Sequence, residues 1–311
     1  MKFAIFGTGG VGGYFGGRLA QTGEDVTFIA RGQHLKAIRE HGLHVESING
    51  DFVIQPAQAT DDPAAVGVVD AVLVAVKSWS LPDAITQIQP MVGEQSFVVW
   101  LGNGIEGTDL MIDAFGRERV VGGLTRISSF QGGLGLIKHV AAQPSIAFGE
   151  LDQTRSPRVE ALRNAFEKCK GLHVEVSENI LLTIWEKFIF IAAVSGVGAM
   201  TRQPAGVYRS VPESRAMLLA ALEETASLGR ARGIPLDADV ATRILTDNID
   251  TLTPMFLASM QRDIMEGHPS ELEAQTGYIA RLGRKLGIPT PTHDFIYAAL
   301  LPQERKVRGL A

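Results

Sequence analysis

The N-terminal stretch "KFAIFGTGGVGGYFGG", residues 2–17, leaves few folds open to this chain. A short apolar run ends at Gly7, and Gly7, Gly9 and Gly12 then follow a G-x-G-x-x-G spacing. That pattern predicts a turn from a first buried strand into a first helix. Gly7 permits the tight turn, Gly9 lets backbone approach a pyrophosphate, and Gly12 lets helix pack on strand. The helix N-terminus offers unpaired N–H groups and partial positive charge to an anion. The backbone of Gly7, Thr8, Gly9, Gly10, Val11 and Gly12 is therefore a candidate dinucleotide cradle.

The pattern that follows agrees with this start. Apolar runs "DVTFIA", "DAVLVAV" (70–76), "SFVVWLG" (96–102) and "RVVGGL" (119–124) alternate with helical stretches. Such continuous apolar strands suit a parallel sheet buried on both faces. "LIKHV" and "SIAFGE" suggest added antiparallel strands, and "HVEVS" (173–177) a last one. After Glu178 the periodicity turns helical, and "GRARGIP" and "GRKLGIP" each run basic residues into a Gly-Ile-Pro stop. A chain of 311 residues also exceeds what one core of up to about 300 residues holds. The expected architecture is a Rossmann-type, doubly wound α/β domain over residues 1–178, followed by an all-α domain over 179–311.

Charge and composition narrow the function. A net charge of -5 argues against a general nucleic-acid or acidic-membrane binder. Cys169 is the lone cysteine and cannot form an internal disulfide, which fits a reducing compartment. The histidines are scattered; "HGLH" (His41, His44) is the nearest thing to a ligand pair, and no metal is expected. Neither the N-terminus, interrupted by glycines, nor the uncharged residues 188–200, shorter than the roughly 20 needed for a span, reads as a membrane segment. The expectation is a cytoplasmic protein, with the possibility of a homodimer left open.

Cofactor choice is read at the end of the second strand. An NAD-binding domain usually places Asp or Glu there, to accept from the ribose 2′-hydroxyl. "TFIARGQH" places Arg31 there instead, and a guanidinium matches a 2′-phosphate. NADP(H) is favoured over a reading of Arg31 as a solvated loop residue. Lys77 ends another strand, in "VAVKSWS", and could add a second positive charge. Lys187 raises a different question, because it heads a long run of uncharged residues ("KFIFIAAVSGVGAM") and desolvating an ammonium is costly unless it is used.

Across nearly its whole length the chain resembles the ketopantoate reductases, NADPH-dependent 2-dehydropantoate 2-reductases. The resemblance rests on "GTGGVGGYFGGRLA", "ARG" at Arg31, "VAVKSWS", "NGIE" from Asn103, "IWEKF" with Lys187, "SMQRDI" from Ser259 and "SELEAQTGYI" with Glu271. It implies that Lys187 is the catalytic lysine and Glu271 the substrate-binding glutamate. It likewise implies that Ser259 binds the substrate carboxylate and that Asn103 stands at nicotinamide and substrate. Relatives commonly carry asparagines four and eight residues after the lysine. Ile191 and Ser195 stand there in this chain, and Ser195 is retained as a substrate-binding candidate.

Residue chemistry gives these roles an independent basis. A charged ammonium against a ketone oxygen stabilises the developing alkoxide and then protonates it. The bland alternative is a lysine that snorkels from a helix N-terminus, although a first helical turn is a poor place for a cation. Ser270 and Glu273 have the spacing of an S-x-x-E capping box, which would leave Glu271 at the first helical position. There it would either stabilise the helix dipole or orient substrate. Asn103 can donate and accept at once. The expected activity is NADPH-dependent reduction of a 2-oxo acid, ketopantoate first. The rivals are a different 2-oxo acid, an opine-type dehydrogenase that condenses an amine, and a non-catalytic NADP-binding sensor.

Overall fold

The computed structural model describes residues 1–310. Packing divides the chain into two units, Met1–Gly102 with Gly107–Ile180, and Asn103–Glu106 with Leu181–Ala311. The short segment at 103–106 leaves the strand-rich part of the sequence to pack with the helices.

The first unit holds ten strands in one sheet: β1 (Lys2–Phe6), β2 (Asp25–Ile29), β3 (Leu43–Ser47), β4 (Phe52–Ile54), β5 (Gln58–Thr60), β6 (Val69–Val74), β7 (Val92–Trp100), β8 (Val120–Gly133), β9 (Leu136–Glu150) and β10 (His173–Val176). Their order is β4-β3-β9-β8-β7-β6-β1-β2-β5, with β10 also on β9. The pairs β1–β2, β1–β6, β6–β7 and β7–β8 are parallel, as expected of a doubly wound sheet. Helices α1 (Gly10–Gln21), α2 (Gly32–His41), α3 (Leu81–Ile88), α4 (Glu106–Phe115) and α5 (Pro157–Glu167) accompany it. Phe3, Ile5, Phe28, Leu73, Phe97 and Val99 of the strands form one buried cluster with Tyr14, Phe15 and Leu19 of α1.

The antiparallel part differs from the sequence reading. "LIKHV" and "SIAFGE" are one strand, β9, which pairs antiparallel with β8. Register shifts along this long pair let it bend without ending. The last strand, β10, runs parallel to β9. Strands β4 and β5, three residues each, were not foreseen; pairing with neighbours, rather than their own composition, makes them strands.

The second unit is helical: α6 (Ile180–Thr201), α7 (Ala205–Tyr208), α8 (Pro212–Ala231), α9 (Val240–Arg243), α10 (Ser259–Glu266), α11 (Tyr278–Leu286) and α12 (Pro291–Val307), with π turns at Ile244–Ile249 and Glu273–Gly277. Both Gly-Ile-Pro stops end their helices at a glycine of positive φ, Gly233 and Gly287. The apolar run is longer than residues 188–200 suggested, because α6 spans 22 residues. By length and composition alone it could cross a membrane; 61% of its most apolar window is nevertheless buried within the protein, as in a core helix. Trp185 and Phe188 meet edge to face, and Phe188 meets Tyr278 likewise.

Candidate active site

The glycine turn builds a candidate nucleotide site within the first unit. Gly7 has φ +100°, a conformation that L side chains rarely adopt. A Cβ on Gly12 would lie 2.1 Å from the Gly7 carbonyl oxygen, so only glycine lets α1 start this close to β1. At Gly9 a Cβ would meet nothing within 4 Å, which leaves the backbone there bare to a pocket of about 310 Å³. That pocket is lined by Gly7, Thr8, Gly9, Arg31, His34, Ser80, Asp83 and Gln87 among others. The bare turn, the N-terminus of α1 and the Arg31 cation in the lining fit a dinucleotide.

Thr8 locks the turn to β2, with its hydroxyl donating to the Ile29 carbonyl at 2.9 Å. His34 adds a second tie that the sequence did not disclose. Its Nδ1 accepts from the Gly135 N–H at 3.0 Å, so Nε2 carries the proton and donates to the Thr8 carbonyl at 2.9 Å. Arg31, at the end of β2, is exposed, lines the pocket, and donates to Gln87 Oε1. Lys77 does not line this pocket; its ammonium lies 5.7 Å from the Trp79 ring centroid. Gly10 and Val11 occupy the first turn of α1. Asp83, on α3, lines the same pocket as Arg31.

The helical unit holds its own cluster of polar side chains. Lys187 is eighth in α6 and partly buried, not in a first turn, so the macrodipole argument for its reactivity does not apply. Its Nζ donates to Asn103 Oδ1 at 3.1 Å. Asn103 Nδ2 donates in turn to Glu271 Oε2 at 3.1 Å. An ammonium only donates and a carboxylate only accepts, so this amide orientation is the one that serves both. The turn that presents Asn103 is tight, since a Cβ on Gly104 would lie 3.0 Å from the Ala274 carbonyl. The three residues thus form a continuous ammonium–amide–carboxylate chain in which Glu271 is only 4% exposed.

The expected capping box is absent. Ser270 Oγ donates to Glu304 Oε2 at 2.6 Å and accepts from Leu272 N–H at 3.3 Å. Glu273 turns outward, where it takes hydrogen bonds from Arg281 at 2.7 Å and Tyr297 at 2.6 Å. The buried Glu304 carboxylate needs donors, and the Ser270 hydroxyl and N–H supply them. Glu271 accordingly sits in a bend before the π turn, and its carbonyl accepts from Ala274 and Gln275 N–H groups at 3.1 and 3.0 Å.

Ser259 is the first residue of α10, not an interior one, and is partly exposed beside the helix's unpaired N–H groups. Ile191 follows Lys187 by one turn of α6 and is partly exposed; Ser195, a further turn on, is fully buried with no hydrogen-bond partner for its hydroxyl.

A doubly wound sheet with this turn, in a chain whose helical unit carries a held ammonium, has the architecture of a nucleotide-dependent oxidoreductase. Residues 3–153 match the model of the family described as "Ketopantoate reductase PanE/ApbA", and residues 179–304 that of its C-terminal region. The chain belongs to the ketopantoate reductase family, and as a reductase on this fold it uses a nicotinamide cofactor.

Among similar proteins are the uncharacterized oxidoreductase YkpB of Bacillus subtilis (31% identical; 96% of this chain and 98% of that one) and the 2-dehydropantoate 2-reductase of Mesorhizobium japonicum (30%; 96% of each). Among solved structures, the PanE/ApbA family ketopantoate reductase from Ralstonia eutropha JMP134 superposes with a TM-score of 0.87 at 30% identity, over 99% of this chain and 100% of that one. D-mandelate dehydrogenase, solved with NADH and anilino(oxo)acetate, shares the fold, with a TM-score of 0.88 at 23% identity over 99% and 100% of the two chains.

Proposed function

We infer that this protein reduces a 2-oxo acid to the 2-hydroxy acid with NADPH, and that the acid is 2-dehydropantoate. The observation that carries the reading is the hydrogen-bonded chain Lys187–Asn103–Glu271. The nicotinamide, when bound, supplies a hydride to the ketone carbon. Lys187 supplies the rest: its ammonium polarises the ketone oxygen and gives it a proton as charge develops there. Asn103 holds that ammonium in place through Oδ1 and holds the Glu271 carboxylate through Nδ2. Glu271 orients a substrate hydroxyl and favours the protonated lysine, and Ser259 meets the substrate carboxylate at the start of α10. Ser195 offers a buried hydroxyl without a partner. Arg31 meets the 2′-phosphate, and the backbone of residues 7–12 meets the pyrophosphate. On this reading the protein is a cytoplasmic enzyme of pantothenate biosynthesis.

Ile191 supports a second reading. An apolar, partly exposed side chain one turn from Lys187 suits a bulkier or less hydroxylated 2-oxo acid. NADPH oxidation followed with ketopantoate against a panel of other 2-oxo acids, with and without amino acids, tests both readings. Highest kcat/KM on ketopantoate upholds the first, and a bulkier acid in that place upholds the second. A rate that requires an amine means an opine-type dehydrogenase, and cofactor binding without turnover on any acid means a sensor.

A further inference from the structure

Glu271 owes its place to the far end of the chain. Glu304, in α12, is 3% exposed and accepts from the Ser270 N–H at 3.0 and 3.2 Å as well as from the Ser270 hydroxyl. One helical turn on, Arg308 donates through Nε to Glu304 Oε1 at 2.5 Å and through Nη2 to the Ser270 carbonyl at 2.7 Å. Every polar group of Ser270 is therefore held by these two side chains. On its other side Glu271 leads straight into the π turn, closed by Gly277 N–H on the Leu272 carbonyl at 2.9 Å. The same stretch of α12 reaches α10, where Gln303 Nε2 donates to the Ile264 carbonyl.

A buried carboxylate–guanidinium pair is a poor source of stability, because desolvation offsets most of the Coulombic gain. What such a pair does well is fix geometry, since both groups demand particular partners in particular directions. Here the geometry it fixes is the backbone of the residue immediately before Glu271. We propose that Glu304 and Arg308 are positioning residues for substrate binding, which act through Ser270 to aim the Glu271 carboxylate. The proposal rests on the reading of Glu271 as a substrate-binding residue.

Steady-state kinetics on Glu304→Gln, Arg308→Ala, Arg308→Lys and Glu271→Gln test it, using the 2-oxo acid that the unaltered enzyme turns over best. Misaiming a binding carboxylate by a fraction of an ångström is expected to raise KM for the acid between about 10- and 100-fold in Glu304→Gln and Arg308→Ala. The NADPH dissociation constant should stay within about twofold, kcat should fall less than KM rises, and Arg308→Lys should recover part of the loss. If KM and kcat stay at their original values while only Tm falls, or if acid and NADPH binding fall together, the proposal is overturned. Arg308, less buried than Glu304 at 21% exposure, still decides the matter should Glu304→Gln fail to fold. A normal KM in Glu271→Gln would sink the reading of Glu271 and the proposal with it. A raised KM in Glu271→Gln alone would sink only the positioning role.

Discussion

Lys187 and Asn103 stand 84 residues apart in the chain, yet Nζ of the first donates to Oδ1 of the second at 3.1 Å. Asn103 belongs by packing to the helical unit, although the strand that delivers it, β7, belongs to the sheet. The ammonium is thereby given an acceptor on a residue whose other end grips Glu271.

Replacing the ammonium removes both the polarising charge and the proton donor. Lys187→Ala is expected to lower kcat between about 10²- and 10⁴-fold. The NADPH dissociation constant, measured by fluorescence titration, should stay within about twofold. An unchanged kcat at saturating cofactor would take Lys187 out of the chemistry.

Asn103 serves two charged neighbours, and Leu of similar size serves neither. Each hydrogen bond to a charged group contributes about 1.5–3 kcal/mol, so Asn103→Leu should lower kcat/KM by at least tenfold. The loss should exceed any change in Tm expressed on the same energy scale. A variant with full kcat/KM would mean that the bridge is structural decoration.

Arg31 and Asp83 line one pocket with opposite charge. Arg31→Ala should weaken NADPH about 10- to 100-fold, from loss of a charge-assisted contact, and weaken NADH far less. Asp83→Asn should act in the other direction and strengthen NADPH roughly two- to fivefold, the scale of one solvent-screened charge. Binding titrations with both cofactors decide the point; equal losses for NADPH and NADH in Arg31→Ala would remove the 2′-phosphate from that guanidinium.

Glu224, in α8, anchors the other end of α12. Its carboxylate accepts from the Thr292 N–H at 2.7 Å, the His293 N–H at 3.0 Å and the His293 ring at 2.8 Å. Burial alone would raise its pKa, but the hydrogen bonds from His293 and Thr292 outweigh it and hold the carboxyl below the ordinary 4.5. A depressed folded pKa means stability that is complete above the unfolded value and lost as pH falls through the folded one. Tm should therefore drop from about pH 5 downward, and less steeply in Glu224→Gln. Parallel Tm–pH curves for the two proteins would refute this.

Cys169 offers a control on reactivity. Burial pushes its thiol up to about 12, so almost none is thiolate at neutral pH. A colorimetric thiol reagent should label the folded protein slowly and the protein in denaturant at once. Equal rates in the two conditions would contradict the burial.

The sequence by itself determined the doubly wound sheet, the glycine cradle and the change to helices. Those signals are local: apolar strands, glycine spacing and helical stops are each written within a few residues. It also singled out Lys187, Asn103 and Glu271, through motifs whose order matches a family. Tertiary structure alone decided that these three touch, because no spacing rule relates residues 103, 187 and 271. It alone decided that Ser270 answers to Glu304 rather than to Glu273, a competition between a local cap and a distant buried charge that local pattern cannot weigh. The same holds for His34 on the Thr8 carbonyl and for Asp83 and Arg31 lining one pocket. A hydrogen bond is set by distance and direction in space, and the sequence records neither until the chain has packed.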